Sequence, residues 1–391
     1  MTSSPIRILM ADDSAVIRRL LSQAFTADRE LLITGMAIHG GEVLQLLASQ
    51  RPDIVLLDVE MPVMDGVETV VAIRKVSPTI PIVMFSSITS AGGQATLDAL
   101  AAGANDYATK PTRQGHAVDA LGYIRSELIP KIKHWGRRQQ LRTTGGTSPV
   151  GRPATAHSPI ATSALPKAAI TGMTRSAAPA PANVSSARKP VDIVAIGVST
   201  GGPNALVEVL GAIPADFPAP IVIVQHMPAV FTQLLAARLD TTCSLRVREG
   251  VDGAVPQRGE VWIAPGDFHM TVKKRRTDCV LEISQGPLVN SCRPSVDPLF
   301  QSIATVYGGH CLGVILTGMG RDGEDGSRAI CNAGGQVIAQ DEASSVVWGM
   351  PRAVTRAGLA SAVLPLPQIA REIVDRTRRM STPLMAPVRS R

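Results

Sequence analysis

A serine lies in a glycine-rich turn between an apolar run and a helical pattern, where its hydroxyl group would be exposed. The segment Gly197-Val-Ser199-Thr-Gly201 follows the apolar run 191–196, and Pro203 opens the helical pattern. Glycines allow the sharp turn that this corner needs, and unpaired helix N–H groups would lie beside Ser199. This arrangement is typical of a nucleophilic serine. A glycine-rich turn is also typical of a nucleotide or phosphate cradle, so the motif alone leaves both interpretations open.

Two polar residues that follow later apolar runs would complete a nucleophilic site. His226 follows the run 221–225, and Asp322 follows the run 312–316. If these runs are parallel strands, Ser199, His226 and Asp322 lie along one edge of the sheet. The imidazole would take the serine proton, the carboxylate would hold the imidazole, and backbone N–H groups at the glycine turns would bind an oxyanion.

The dinucleotide interpretation is disfavoured, because its fingerprint needs a glycine where Ser199 stands and an acid where the next strand ends in Gln225-His226-Met227. The order serine, histidine, aspartate differs from that of the α/β-hydrolases, so that fold is not implied. Rival candidates lie nearby: Asp325, Asp341 and Glu342 for the carboxylate, and His269, which begins a strand, for the base.

A second group of polar residues follows the apolar runs of the first 135 residues: Asp12, Asp13, Asp58, Ser86 and Lys110. Three carboxylates placed together repel one another unless a cation joins them. Mg²⁺ suits oxygen ligands and keeps water sites for an incoming phosphate. Lys110 and Ser86 would then hold a transferred phosphoryl group, with Asp58 as its acceptor.

Alternating strand and helix patterns position both groups. In the first half the strand-like runs are 6–10, 31–37, 53–59, 80–85 and 106–109, and the helical patterns are 14–26, 40–50, 66–76, 91–102 and 114–134. In the second half the strand-like runs are 191–196, 220–225, 260–264, 270–274, 280–284, 312–316 and 336–340, and the helical patterns are 203–212, 230–239, 296–307, 323–333 and 367–379. These patterns predict two α/β domains with parallel, doubly wound sheets, whose functional residues lie at the carboxyl ends of the strands.

Composition divides the chain into residues 1–135, a linker at 136–190 and a second domain at 191–385. Proline, alanine, serine, threonine and glycine dominate the linker, which predicts an extended, mobile segment acting as a spacer or a docking segment. The formal net charge of +7 lies mostly there, because the linker carries eight basic side chains and no acid. No DNA-reading helix or zinc-finger spacing accompanies this charge, which argues against nucleic acid as a partner.

The composition also bounds the location of the protein. The hydrophobic content is 45%, and the five cysteines show no C-x-x-C spacing, which is typical of reduced thiols in a cytoplasmic protein. No apolar run approaches the ~20 residues of a membrane span, and the N-terminus lacks the apolar region of a signal peptide. We therefore expect a cytoplasmic protein without membrane insertion.

The first domain resembles the receiver domain of two-component response regulators, which has a flavodoxin-like fold. The motifs that carry the resemblance are Met10-Ala-Asp12-Asp13-Ser14, Leu57-Asp58-Val-Glu60-Met61-Pro62, Phe85-Ser86-Ser87 and Tyr107-Ala-Thr-Lys110-Pro111. The resemblance implies phosphorylation of Asp58 by a partner histidine kinase. It also implies Mg²⁺ held by Asp12 or Asp13, Asp58 and the backbone carbonyl of Glu60. A switch at Ser86 and Tyr107 and a cis peptide bond before Pro111 are further implications.

The second domain resembles the effector domain of chemotaxis protein-glutamate methylesterases. The matching motifs are Gly197-Val-Ser199-Thr-Gly-Gly202, Gln225-His226-Met227, Ala264-Pro-Gly-Asp-Phe-His-Met270, Arg293-Pro-Ser-Val-Asp297 and Thr317-Gly-Met-Gly-Arg-Asp-Gly323. The resemblance implies a triad of Ser199, His226 and Asp322, an oxyanion site at the backbone N–H of Met319, and no cofactor in the esterase site. The implied reactions are hydrolysis of glutamate methyl esters on chemoreceptor cytoplasmic domains, which releases methanol, and deamidation of receptor glutamines.

Together these features predict a phosphorylation-activated esterase whose receiver partly covers the esterase site. Two alternatives stay open from the sequence: a catalytically silent signalling adaptor, and an esterase of a chemosensory pathway that does not control motility. A DNA-binding regulator lacks a reading helix.

Overall fold

The computed structural model describes residues 4–111, 117–144 and 189–378. The N-terminal domain is a parallel sheet of five strands in the order β2-β1-β3-β4-β5. Its strands are β1 (Ile6–Ala11), β2 (Leu31–Ala37), β3 (Ile54–Asp58), β4 (Ile82–Ser86) and β5 (Asp106–Thr109). Its helices are α1 (Ala15–Thr26), α2 (Gly40–Gln50), α3 (Gly66–Val76), α4 (Ser90–Ala101), α5 (Ala117–Tyr123), a π-helical segment (Ile124–Leu128) and α6 (Ile129–Thr144).

The strand order of this first sheet confirms the flavodoxin-like fold. Every residue of β3 and β4 is buried, as expected for central strands that helices cover on both faces. Because all five strands are parallel, their carboxyl ends meet at one edge. That edge carries the acidic residues predicted to act together.

Helix α6 extends to Thr144, beyond residue 136, where we expected an extended linker to begin. Trp135 is buried in the core of the N-terminal domain, and a Cβ on Gly136 would collide with a methyl group of Ile6. Arg137 donates to the Ser4 carbonyl and pairs with Glu30. The glycine is therefore a packing contact with β1, and the prediction was wrong for residues 136–144. The remainder of the predicted linker, 145–188, lies outside the described residues.

The C-terminal domain is built on a seven-stranded parallel sheet in the order β14-β13-β12-β6-β7-β9-β8, with a separate antiparallel pair β10-β11. Its strands are β6 (Ile193–Val198), β7 (Ile221–Gln225), β8 (Arg246–Glu249), β9 (Glu260–Ile263), β10 (His269–Arg275), β11 (Asp278–Ser284), β12 (Cys311–Ile315), β13 (Gln336–Gln340) and β14 (Ala362–Leu364). Its helices are α7 (Gly202–Gly211), α8 (Ala229–Thr242), α9 (Val296–Tyr307), α10 (Glu324–Asn332), α11 (Met350–Arg356) and α12 (Leu366–Arg378).

The sheet confirms the predicted doubly wound α/β class, with β6, β7 and β12 fully buried at its centre. Three elements were not predicted: β8, β14 and α11. Strands β8 and β14 lie at the two edges of the sheet and are only four and three residues long. Such short edge segments lack an apolar run long enough to be recognised.

Two further findings concern the backbone and the surface. Among the described residues the only cis peptide bond precedes Pro294, so the cis bond expected before Pro111 is not found. The trans form of an X–Pro bond is favoured by ~0.5–1 kcal/mol unless the fold selects the cis form. No helix in the described part of the chain combines the length and the apolar character that a membrane span requires.

Candidate esterase and phosphoacceptor sites

Ser199 lies directly after β6, at the corner where the chain enters α7. Its backbone N–H donates to the Thr317 carbonyl at 3.0 Å, and its own carbonyl accepts from the Gly202 N–H at 2.8 Å. Gly201 between them has a φ of 79°, which glycine adopts without strain. A Cβ on Gly318 would lie 2.8 Å from the Cβ of Ser199. The serine is therefore half-buried and pressed against the loop that follows β12.

His226 and Asp322 form a buried pair at the same edge of the sheet. His226 follows the neighbouring strand β7, and its backbone N–H donates to the Val198 carbonyl at 3.2 Å. Its Nε2 lies 2.8 Å from the Oδ2 of Asp322, and the Asp322 side chain is 3% exposed. The structure thus pairs two of the three residues predicted to act as a triad, His226 and Asp322, and places Ser199 directly after the neighbouring strand β6.

The carboxylate of Asp322 lies at the N-terminus of α9, where several groups donate to it. The Val296 N–H and the Ser295 hydroxyl donate at 2.7 Å each, and the Asn290 amide donates at 2.8 Å. Burial alone would raise the pKa of Asp322, but His226 and these donors outweigh it and lower that pKa. Asp322 is therefore held as an anion.

The imidazole of His226 responds to this anion. Burial opposes the charged form, but the hydrogen bond to Asp322 and the contact with Cys292 outweigh it and raise the pKa of His226. Because Nε2 pairs with Asp322, only Nδ1 remains to accept another proton. The Cys292 Sγ lies 3.7 Å from that Nδ1. Within the described ranges, no hydrogen bond joins the Ser199 hydroxyl to His226.

The backbone around Met319 forms a turn against Ser199. The Gly318 N–H donates to the Val347 carbonyl, and the Gly318 carbonyl accepts from the N–H groups of Gly349 and Met350. In the described part of the chain nothing accepts the Met319 N–H. A free N–H beside a candidate nucleophile is a suitable donor for an oxyanion.

The rival candidates lie elsewhere. The His269 Nε2 contacts the Pro287 carbonyl at 2.9 Å, and its Nδ1 accepts from the Ser295 N–H at 3.3 Å, so it supports the loop that holds Asp322. Asp341 binds the Ser344 N–H and hydroxyl, and Asp325 and Glu342 are exposed. The sequence analysis did not predict that Asn290 and Ser295 would contact Asp322 or that Cys292 would contact His226. Ser295 stands in the Arg293-Pro-Ser-Val-Asp297 motif, which was the only signal for it.

The acidic cluster of the first domain is also assembled. One oxygen each of Asp12, Asp13 and Asp58 lie within 4.8 Å of one another, and the Lys110 Nζ lies 2.8 Å from Asp12 and 2.7 Å from Asp58. Burial and the neighbouring charge of Asp12 raise the pKa of Asp58 to about 6, although Lys110 opposes this. The Glu60 N–H lies 3.4 Å from Asp58. This oxygen-rich set has the chemistry that Mg²⁺ prefers.

Ser86 and Tyr107 make their contacts outside the acidic cluster. The Ser86 hydroxyl is buried and donates to the carbonyl of Gly92, in the first turn of α4. Tyr107 is buried and stacks on Phe231 of α8 in the C-terminal domain, with ring centroids 5.3 Å apart. Both residues therefore connect the receiver to the domain interface.

The interface places the receiver against the elements that carry Ser199. Asp98 of α4 pairs with Arg238 of α8 at 2.9 Å, and a Cβ on Gly93 would lie 2.7 Å from Leu234. The Asn204 amide, at the start of α7, reaches the Leu100 carbonyl at 3.4 Å. The first turn of α7, three to five residues after Ser199, is thus covered by the receiver.

These two domains define a class: a response regulator whose output domain carries a buried histidine–aspartate pair and a serine at one edge of a parallel sheet. The model described as a response regulator receiver domain matches residues 8–121, and the model described as CheB methylesterase matches residues 194–373. A receiver domain indicates control by phosphorylation.

Two curated relatives and one solved structure are similar to this chain. The protein-glutamate methylesterase/protein-glutamine glutaminase of Trichodesmium erythraeum is 44% identical over 370 residues, which cover 95% of this chain and 98% of the relative. Protein-glutamate methylesterase/protein-glutamine glutaminase 1 of Paramagnetospirillum magneticum is 43% identical over 369 residues, covering 93% and 94%. The crystal structure of the Thermotoga maritima CheB methylesterase catalytic domain is 43% identical, with a TM-score of 0.47, and covers 48% of this chain and 99% of that one.

This chain belongs to the protein-glutamate methylesterase/protein-glutamine glutaminase family of response regulators. The resemblance, the fold class and the enzyme class predicted from the motifs are confirmed. Nothing in these relatives favours a silent signalling adaptor or an esterase of a chemosensory pathway that does not control motility.

Proposed function

We propose that this chain hydrolyses methyl esters of glutamate side chains on chemoreceptor cytoplasmic domains and deamidates glutamines there, and that phosphorylation of Asp58 by a histidine kinase raises both activities. The reactions take place in the cytoplasm. The observation that carries the proposal is the pairing of His226 with the buried Asp322 at the sheet edge where Ser199 meets the loop of Gly318.

In the proposed reaction the Ser199 hydroxyl attacks the ester carbonyl carbon while the Nδ1 of His226 takes its proton. The Met319 N–H stabilises the negative oxygen of the tetrahedral intermediate. The imidazolium then protonates the leaving methoxide, so methanol departs and an acyl-enzyme remains. Water releases glutamate by the same steps, and with a glutamine the leaving group is ammonia. These groups and water suffice for the esterase site.

Asp322 acts in this scheme through charge and orientation. It holds Nε2 of His226, which leaves Nδ1 as the ring nitrogen that takes the serine proton, and it stabilises the imidazolium that forms. Three close donors, together with the Asp297 N–H at 3.3 Å, keep Asp322 ionised and fixed in place. Asn290, Ser295 and Val296 are therefore positioning residues.

In the receiver, Asp12, Asp13, Asp58 and the Glu60 carbonyl would hold Mg²⁺. The bound cation would supply positive charge that offsets the repulsion between these carboxylates and an incoming phosphoryl group. Asp58 is the acceptor of that group. Lys110, already within 2.8 Å of both buried carboxylates, would pair with the new phosphoryl oxygens.

Activation would proceed through the bond between Ser86 and Gly92. A phosphoryl group on Asp58 attracts the Ser86 hydroxyl, and the bond to the first turn of α4 is then lost. Helix α4 packs on α8 through Gly93 and Asp98, and Tyr107 packs on Phe231. A shift of these groups weakens the interface that covers the start of α7. Phosphorylation can shift the equilibrium in this way only if the phosphorylated receiver packs less favourably on the C-terminal domain than the unphosphorylated one. The domains then separate more often, and the esterase site is exposed.

The test is methanol release from methylated receptor membranes by the intact chain, Ser199→Ala and Asp58→Asn, with and without a small phosphodonor and Mg²⁺. We expect release that rises with phosphodonor, is lost in Ser199→Ala, and loses only its stimulation in Asp58→Asn. Absence of release although Asp58 is phosphorylated would contradict the proposed activity. Stimulation that persists in Asp58→Asn would contradict the proposed acceptor.

A further inference from the structure

The thiol of Cys292 occupies the side of His226 on which the proposed reaction depends. Its Sγ lies 3.7 Å from Nδ1, while Nε2 is engaged by Asp322 at 2.8 Å. Cys292, His226 and Asp322 thus form a chain of contacts, in which the thiol lies at the same ring nitrogen that would take the proton of Ser199. Cys292 is half-buried and thus not sealed in the core.

The position of Cys292 is set by its backbone on both sides. The N–H and the carbonyl of Cys292 both bond to Val289, at 2.9 and 3.1 Å, which closes a tight turn. On the other side Arg293 pairs with Asp267 at 2.6 Å, and the Ser295 hydroxyl binds Asp322. The sulfur therefore stays beside His226 as long as this loop is folded.

Three of the other four cysteines have different surroundings. Cys243, Cys311 and Cys331 each donate to a backbone carbonyl, at 3.5, 3.2 and 3.4 Å. Burial raises the pKa of all three thiols, that of Cys311 to about 12, which disfavours the reactive thiolate. Cys292 instead contacts a ring nitrogen that can take its proton.

We propose that Cys292 is a redox-sensitive modification site whose oxidation by hydrogen peroxide turns the esterase off. His226 takes the thiol proton, and the resulting thiolate attacks one peroxide oxygen. An S–O bond forms, the O–O bond breaks, and the second oxygen leaves as water after taking a proton. Sulfur loses two electrons and peroxide gains them, so the products are a cysteine sulfenic acid and water.

The added oxygen would lie off the line between the sulfur and Nδ1 of His226 and within hydrogen-bond reach of Nδ1, because the two atoms are only 3.7 Å apart. There it bonds to Nδ1 and excludes the Ser199 hydroxyl from the base. An external thiol reverses the reaction by reducing the sulfenic acid. This inhibitory effect rests on the proposed roles of Ser199 and His226, whereas the oxidation itself depends only on the contact between Cys292 and His226.

The experiment exposes the intact chain to hydrogen peroxide, removes the excess with catalase, and measures methanol release and dimedone labelling of each cysteine by mass spectrometry. We expect dimedone on Cys292 before the other cysteines. We expect methanol release to fall by about 100-fold, the lower end of what general-base catalysis contributes, and to return with dithiothreitol. The Cys292→Ala variant should release methanol at the same rate before and after treatment with peroxide. Cys279→Ser, which removes a half-buried cysteine of the β10-β11 pair, should behave like the parent chain.

The two readouts separate this inference from the proposed function. Equal loss of activity in Cys292→Ala, or dimedone on the other cysteines first, would overturn the inference while methanol release stands. If no preparation releases methanol, the proposed function fails, and the labelling order still tests the site. His226→Gln should slow labelling of Cys292, and an unchanged labelling rate would show that the imidazole contact has no influence.

Discussion

Asp58 and Asp322 are both buried at the carboxyl edge of a parallel sheet and have opposite electrostatic surroundings. Asp58 is the last residue of β3, Asp322 lies in the loop that follows β12, and each residue is 2% exposed. Asp58 lies beside a second carboxylate and a lysine, and its pKa is raised to about 6. Asp322 receives three close donors and a histidine, and its pKa is lowered. The neighbours of a buried carboxylate, more than its place in the fold, therefore decide its chemistry.

The neighbours differ because of the loop that precedes each nearby helix. Residues 290–296 curl over Asp322 and direct two side chains and a backbone N–H at it, at the positive end of α9. Asp58 receives one backbone N–H, that of Glu60 at 3.4 Å, and the ammonium group of Lys110 at 2.7 Å. Its oxygens stay available for a cation and a phosphoryl group, whereas those of Asp322 are fully used.

The sharpest test of this contrast is Asp322→Asn. We expect kcat for methanol release to fall by about 10⁴-fold, because an amide no longer fixes the tautomer of His226 or stabilises its charged form. Asp58→Asn is the matched control, since the same substitution there should leave unstimulated release unchanged. A loss smaller than about tenfold in Asp322→Asn would show that the carboxylate does not orient the base.

A smaller effect is expected from Asn290→Ala, which removes one donor from Asp322 and one from Asp297. We expect kcat/KM to fall by about 10- to 100-fold, because a hydrogen bond to a charged group contributes ~1.5–3 kcal/mol. Gln285→Ala, which removes an amide bonded to the exposed Asp267, is the control. If both variants match the parent chain, the donors on Asp322 are redundant.

The interface should show a gain of activity. Tyr107→Leu removes the stacking on Phe231, a contribution of about 0.5–1.5 kcal/mol, so unstimulated methanol release should rise by about 2- to 10-fold. The added effect of a phosphodonor should shrink accordingly. Lys273→Ala, at a surface ion pair on the β10-β11 hairpin, is the control. Unchanged basal release in Tyr107→Leu would mean that this contact does not restrain the esterase.

The smallest effect concerns pH. His226 must be neutral to accept the serine proton, so kcat/KM should increase as pH rises through the pKa of His226. Asp322 and Cys292 face this imidazole and both raise its pKa. The rising limb should therefore move to lower pH in Cys292→Ala, and further in Asp322→Asn. If the rising part of the kcat/KM profile lies at the same pH in both variants as in the parent chain, a group other than His226 controls it.

Part of the architecture was readable because local patterns determine it. The runs that became β2 and β5 were predicted with the observed bounds, and α2 and α3 likewise. The end of the receiver domain was predicted too early, because the composition of the segment that begins at Gly136 is typical of a linker. In the structure Gly136 packs against Ile6, which is 130 positions away, and residues 136–144 continue helix α6.

The sequence by itself determined which polar residues follow the strands. Because strands and helices alternate along the chain, the strands of each sheet are parallel. The residues that follow them therefore share one edge of each sheet: Ser199, His226 and Asp322 in one domain, and Asp12, Asp58 and Lys110 in the other. Only the tertiary structure decided what each of them touches. The donors on Asp322, the sulfur beside His226 and the stacking of Tyr107 on Phe231 join residues far apart in the chain. Such contacts depend on how loops and domains pack, and that information is not present in any local pattern of residue types.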